Sequence, residues 1–169
     1  MRVVGVVGWK NSGKTGLVER LVAHLAGRGL RVATVKHAHH EAEVDVPGTD
    51  SHRHRAAGAG QVILATPARW ALMTELRGAP EPDLPALLAR LDPCDLVIVE
   101  GFKRGPHPKI EAHRAATGRA PLALCDPSVR AVASDGAPAV PCPVIPLDDT
   151  EALAALALRV AAPLEEAVA

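Results

Sequence analysis

The sequence predicts an α/β fold: a doubly wound, mostly parallel sheet with a few antiparallel strands, in a single domain covering residues 1–169. Three observations lead there. The β-branched run Arg2–Val7 ends in Gly8-Trp9-Lys10-Asn11-Ser12-Gly13-Lys14-Thr15 and is followed by a helical pattern from near Gly16. A second apolar run, Leu96-Val97-Ile98-Val99, ends in an acid, Glu100. Strand-like and helix-like segments then alternate along the chain, with no internal repeat and no low-complexity linker.

In chain order, Arg2–Val7 reads as a strand buried on both faces. Leu17, Val18, Leu21, Val22 and Leu25 recur at helical spacing, and Gly29 is placed to end that helix. Leu30–Lys36 is a second strand, and a polar tract runs from His37 to Arg55. A short helix over about 50–57 follows, with Thr49 or Asp50 as its N-cap and Gly58 near its end. Gln61–Ala65 and Trp70–Met73, separated by a turn at Pro67, predict a hairpin. Leu84, Leu87, Leu88 and Leu91 predict a helix over 83–91, before the strand that ends at Glu100. Residues 109–113, 122–125, 129–133 and 144–146 read as short strands. The last helix runs from Asp149 to Val160, capped by Asp148 or Asp149.

The phosphate chemistry sits in the first turn. Gly8, Gly13, Lys14 and Thr15 satisfy the G-x-x-x-x-G-K-[ST] pattern of a phosphate-binding loop, between the strand and the helix that this pattern requires. Glycines let backbone N–H groups close on phosphate oxygens, and the helix N-terminus adds orphan amides and the positive end of its dipole. Lys14 is expected to reach the β- and γ-phosphates, and the Thr15 hydroxyl to hold Mg²⁺. Glu100 ends a Walker B-like strand, and the C-terminal ends of parallel strands open onto the ligand crevice, so it is expected near Mg²⁺. These observations make the domain a P-loop nucleotide-binding domain.

Composition narrows the partners. Nineteen basic and nineteen acidic side chains balance to zero net charge, so no whole-molecule field favours nucleic acid or an anionic membrane. Lysine occurs only at positions 10, 14, 36, 103 and 109, close to the loop or to strand ends. The three cysteines, Cys94, Cys125 and Cys142, form no C-x-x-C pair, which predicts buried thiols in a reducing compartment. No apolar stretch reaches about 20 residues and the chain opens directly on a strand, so neither a membrane span nor a signal peptide is expected and a cytoplasmic location is.

With these residues in hand, the chain resembles the molybdopterin-guanine dinucleotide biosynthesis adaptor (MobB) family, P-loop proteins of the signal-recognition and MinD-type GTPase class. The resemblance is carried by Gly8–Thr15, Lys36-His37-Ala38-His39-His40, Gly48-Thr49-Asp50-Ser51-His52-Arg53-His54 with Ala57-Gly58-Ala59, and Val99-Glu100-Gly101-Phe102-Lys103. It implies a homodimer that binds GTP with Mg²⁺, hydrolyses it slowly, and assists the guanylyltransferase that attaches GMP to molybdopterin; the tract His37–Arg55, together with Phe102, Lys103 and Arg104, is a candidate for contact with molybdopterin itself. The chain departs from the wider class at position 9, where Trp9 stands in place of a signature lysine and Lys10 follows it. The N-K-x-D guanine motif is absent; Asp126 and Asp135, each just after an expected strand, are candidates for a base contact or for turn capping.

The site expected from the residues and the resemblance together has three parts. Nucleotide contacts are Gly8, Lys10, Asn11, Ser12, Gly13, Lys14, Thr15 and Gly16, with Asp50, Gly101 and Lys103. Mg²⁺ is held, directly or through water, by Thr15, Glu100 and Asp45, and charge on the transferring group is met by Lys14, Glu100 and Arg53. The tract His37–Arg55 also permits a transition-metal site or a solvated loop. Two other functions fit the scaffold: a nickel or zinc metallochaperone GTPase, and an ATP-dependent small-molecule kinase or ligase.

Overall fold

The computed structural model describes residues 1–38 and 44–167, which divide into two compact units, Met1–His37 with Leu84–Ala169, and Ala38–Asp83. The first unit is built on a seven-stranded sheet. Its strands are β1 (Arg2–Val7), β2 (Val32–Lys36), β5 (Leu96–Glu100), β6 (Lys109–His113), β7 (Val129–Ser134), β8 (Val144–Pro146) and β9 (Ala162–Pro163). The order is β2-β5-β1-β6-β7-β8, all neighbours parallel, and β9 is the antiparallel addition. One side of β1 is shared: Arg2 and Val3 pair with Pro163 and Ala162 of β9, and Gly5 to Val7 pair with β6.

Alternation along the central strands explains why helices lie on both faces. Val4 and Val6 of β1, with Leu96 and Ile98 of β5, point to the face covered by α1 (Lys14–Gly27) and α4 (Thr150–Val160). Val3, Val97 and Val99 point the other way, onto α3 (Leu84–Leu88) and α5 (Leu164–Ala167). Nearly all of these side chains are fully buried, each contributing about 1.5–3 kcal/mol. The sheet is therefore doubly wound, as its sequence predicts. Gly29, at φ 84°, donates its N–H to Ala26 O and closes α1, and Asp149 caps α4 by accepting from Ala152 N.

The second unit contains α2 (Asp50–Ala56) and the antiparallel hairpin of β3 (Gln61–Ala65) and β4 (Trp70–Thr74). Thr49 caps α2 by accepting from His52 N. Ion pairs from Arg55 to Asp45 at 3.7 Å and to Glu75 at 2.7 Å tie this unit together.

Four expectations change. Residues 122–125 do not form a strand: Leu122–Leu124 is a turn of 3-10 helix, because the buried Glu111 carboxylate accepts the N–H groups of Leu122 (2.8 Å) and Ala123 (3.0 Å) and curls the backbone there. The helix expected over 83–91 is confined to Leu84–Leu88. The thiols are not all buried, since Cys125 is exposed while Cys94 and Cys142 are half-buried; all three are free. The chain also continues in an ordered way after α4, through β9 and α5, which the periodicity did not reveal.

Candidate functional site

The loop between β1 and α1 has the backbone its glycines permit. Gly8 takes φ 148° and passes so close to Ala112 O and Ser12 Oγ that a side chain would collide with both; Gly13 takes φ 94°. Asn11 also adopts a left-handed conformation, φ 64°. Gly13 is the N-cap of α1 and supplies no side-chain acceptor, and the first turn contains no acid, so its orphan N–H groups are left for an anion. Ser12 Oγ is buried and has no hydrogen-bond partner among the described residues, which suits a loop built to receive acceptor oxygens. The Lys14 Nζ donates to Trp9 O at 2.7 Å, folding the side chain across the loop, and Gly16 follows in the first helical turn.

Strand order brings distant residues to this loop. Because β5 lies beside β1 in parallel, its C-terminal Glu100 comes to the start of α1, where Thr15 Oγ1 donates to Glu100 Oε1 at 2.9 Å. Lys36, at the end of β2, reaches the same carboxylate oxygen at 3.6 Å. Glu100 is almost fully buried. Gly101, at φ 98°, lets the chain turn against His37, where a β-carbon would come within 2.9 Å of His37 Cβ. The His37 ring stacks on Phe102 with centroids 4.6 Å apart.

Positive charge exceeds negative around the loop. Burial holds the Lys14 pKa below the ordinary lysine value, and Lys103 and Lys36 push it the same way, while Glu100 opposes them. Lys103 Nζ lies 4.6 Å from the Trp9 ring centroid, and the Arg119 guanidinium lies 5.6 Å from it. Trp9 is fixed by its indole N–H, which donates to Ala120 O at 2.9 Å. Lys10 is exposed and lines a cleft with Trp9, Asn11, Thr117 and Arg119.

The other expected residues lie in the second unit. Asp45 Oδ1 accepts from Ser51 Oγ (3.0 Å), Thr49 Oγ1 (3.1 Å) and Val46 N (3.0 Å). Burial works to raise the Asp45 pKa, but these hydrogen bonds outweigh it and the net shift is downward. Asp50 and Arg53 are exposed and 3.7 Å apart. His39, His40, Glu41 and Glu43 lie outside the described residues. Among the described residues, no three His, Cys, Asp or Glu side chains come together in a way that would hold a metal ion, and no helix is long and apolar enough to cross a membrane.

Strand β6 carries polar groups for which the sequence suggested no role. Lys109, almost fully buried, donates to Gly105 O at 2.5 Å and to Ser128 Oγ, and pairs with Asp126 Oδ2 at 3.4 Å. His107 is fully buried beside it, and His113 Nδ1 meets Ser134 Oγ at 3.1 Å. Arg114, just after β6, packs against Gly13. Of the two base-contact candidates, Asp126 caps its own turn, its Oδ1 accepting from Ser128 N, whereas Asp135 Oδ1 accepts from Ala115 N, twenty residues away. Only the alternating polar pattern of 109–113 hinted at the column on β6, and the same pattern normally marks a half-exposed strand.

Comparison with known proteins agrees with this geometry. Residues 3–135 match the family model MobB, "Molybdopterin guanine dinucleotide synthesis protein B". The chain is 43% identical over 149 residues to the molybdopterin-guanine dinucleotide biosynthesis adapter protein of Escherichia coli, covering 86% of this chain and 85% of that protein. It is 46% identical over 136 residues to the Haemophilus influenzae adapter protein of the same description, covering 79% and 74%. The crystal structure of Bacillus subtilis MobB superposes with a TM-score of 0.76 at 26% identity, covering 95% of this chain and 98% of that one.

Proposed function

The chain belongs to the MobB family of molybdopterin guanine dinucleotide synthesis proteins, and from that premise we propose that it works as an adapter that binds GTP with Mg²⁺ and assists the guanylyltransferase that attaches GMP to molybdopterin. The observation that carries the nucleotide part is the meeting of Thr15 and Glu100 at 2.9 Å, beside a loop whose amides and lysines favour an anion. In this reading the amides of residues 8–16, with Lys14, bind the phosphates, and Lys10, Gly101 and Lys103 border them. Thr15 and Glu100 hold Mg²⁺, which supplies neutralisation of phosphate charge. Lys36 pairs with Glu100 at 3.6 Å, and a cation bound there takes over part of its role.

Hydrolysis in this scheme is slow, because Glu100, the acceptor beside Thr15, is already engaged by the Thr15 hydroxyl and by Lys36. Phe102, stacked on His37, and Lys103, over Trp9, offer a planar and cationic surface to a phosphate-bearing pterin. We assign a homodimer as the working form. The hairpin supports that reading: one of its faces presents Ile63, Leu72 and Trp70 to solvent, and a lone two-stranded sheet is marginal without a partner.

The test is calorimetric titration of nucleotide-free protein with GTP and with ATP, each with Mg²⁺, on wild type and Lys14→Ala. GTP binding that weakens by roughly 10-fold or more in the variant is expected. Lys14→Ala binding as tightly as wild type would remove the assignment, and preference for ATP would favour a kinase or ligase on the same scaffold.

A further inference from the structure

Beyond the phosphate loop, the first unit has a second opening at the C-terminal ends of β6, β7 and β8. It is a cleft of about 790 Å³, within the range of about 300–1,000 Å³ common for small-molecule sites. Val144, Pro146 and Leu147 give it an apolar wall, and Arg114 and Asp135 give it charge. In parallel sheets ligands lie outside the carboxyl ends of the strands, and this cleft is on the side of β1 away from Glu100. Arg114 links it to the phosphate loop: its guanidinium sits 3.2 Å from where a Gly13 β-carbon would be. Leu147, another residue of the cleft wall, also lies against Gly13, so the cleft adjoins the end of the loop where the phosphates would sit.

We propose that the cleft receives the purine base of the nucleotide and that Asp135 is the residue that selects guanine. The proposal deepens the nucleotide-binding reading above and rests on it. Guanine presents two adjacent donors, N1–H and the 2-amino group, and a carboxylate is the side chain that accepts from both. The cleft holds two carboxylates, Asp135 and Asp148. Asp135 is the anchored one, because its Oδ1 accepts the Ala115 N–H at 3.0 Å across the ends of β6 and β7. The residue before it is also fixed: Ser134 Oγ accepts from Gly136 N at 3.1 Å and meets His113 Nδ1 at 3.1 Å. Each carboxylate oxygen accepts two hydrogen bonds, so the anchor leaves capacity for two donors from the base. Asp126 does not compete for this role, since its oxygens are committed to Ser128 and to the buried Lys109. The planar Arg114 guanidinium is suited to lie on the purine face.

Asn at position 135 retains an acceptor for Ala115 N–H and for N1–H, but offers a donor where the carboxylate offered an acceptor. That pattern fits xanthine, whose C2 carries an oxygen. The experiment is titration of full-length protein, with Mg²⁺, by GTP, ITP, XTP and inorganic tripolyphosphate, for wild type, Asp135→Asn, Asp148→Asn and Lys14→Ala. Wild type should prefer GTP to ITP and XTP, and Asp135→Asn should lose roughly 10-fold or more for GTP while XTP becomes the tighter ligand. Asp148→Asn should keep the wild-type preference, and both aspartate variants should bind tripolyphosphate as wild type does. Asp135→Asn with an unchanged GTP:XTP ratio, or with GTP and tripolyphosphate lost together, overturns the assignment. If Lys14→Ala abolishes GTP and tripolyphosphate binding while Asp135→Asn changes nothing, the phosphate loop stands and the base reading alone falls. Wild type that binds neither removes both.

Discussion

Glu100, the proposed Mg²⁺ ligand, is a carboxylate whose charge its neighbours already compensate. It is almost fully buried, yet it accepts from the Thr15 hydroxyl at 2.9 Å and faces Lys36 at 3.6 Å, so its charge is compensated before any ion arrives. Lys36 is more than half exposed and well solvated, so the pair contributes little to stability, within about 1 kcal/mol. Glu100→Gln keeps an acceptor for Thr15 and removes the charge that Mg²⁺ requires. We expect its denaturation midpoint to remain near wild type, while the gain in GTP affinity on adding Mg²⁺ is largely lost; an undiminished Mg²⁺ effect would place the ion elsewhere. That Glu100 would come to the phosphate loop was legible in the sequence, because an apolar run ending in an acid reads as a Walker B-like strand beside the loop strand. Asp135 was ambiguous, because whether it faces the loop depends on the strand order and on Ala115, twenty residues away.

Strand β6 has a different logic. It pairs with β1 on one side and β7 on the other, so all five of its residues are buried, polar ones included. The His107 ring, just before it, lies between two glycines: a β-carbon on Gly5 would fall 2.7 Å from its Nε2, and one on Gly105 2.6 Å from its Nδ1. Gly5→Ala should therefore destabilise the protein by about 1–3 kcal/mol in urea unfolding, as overpacking does. Burial, reinforced by the positive charge of Lys109, lowers the His107 pKa to about 4. Between that value and the ordinary 6.5 the unfolded chain binds the extra proton, so stability is complete above 6.5 and falls as the pH drops toward 4. The loss reaches on the order of 3 kcal/mol at the acid end. His107→Leu should flatten that dependence when unfolding is followed at pH 7, 6 and 5, and an unchanged slope would assign it to carboxylates instead. None of this was visible in the sequence, since a Lys-x-Glu-x-His alternation describes a half-exposed strand until the sheet order makes it central.

For the whole molecule, the homodimer proposed above can be tested on the exposed apolar surface of the hairpin. Inside the first unit the sheet is covered on both faces and its central strands are buried. The hairpin of the second unit is different. Cross-strand register places Ile63 opposite Leu72 and Ala65 opposite Trp70 on one face, with Ile63 65% and Trp70 66% exposed. The apolar runs 62–65 and 70–73, separated by a turn at Pro67, made the hairpin itself legible, but a continuous apolar run does not show which face lacks a cover. Leu64, 48% exposed, lies on the opposite face, so the larger exposed group is Ile63, Leu72 and Trp70, which a partner carrying the same face would cover symmetrically. Sedimentation velocity of wild type should give twice the chain mass. Ile63→Glu, which sets a charge in the centre of that face, should give monomers. The same variant should bind tripolyphosphate as wild type does, because the loop, α1 and Glu100 all belong to the first unit. A variant that remains dimeric would place the interface elsewhere, and one that loses dimer and tripolyphosphate together would make the phosphate site dependent on the assembly.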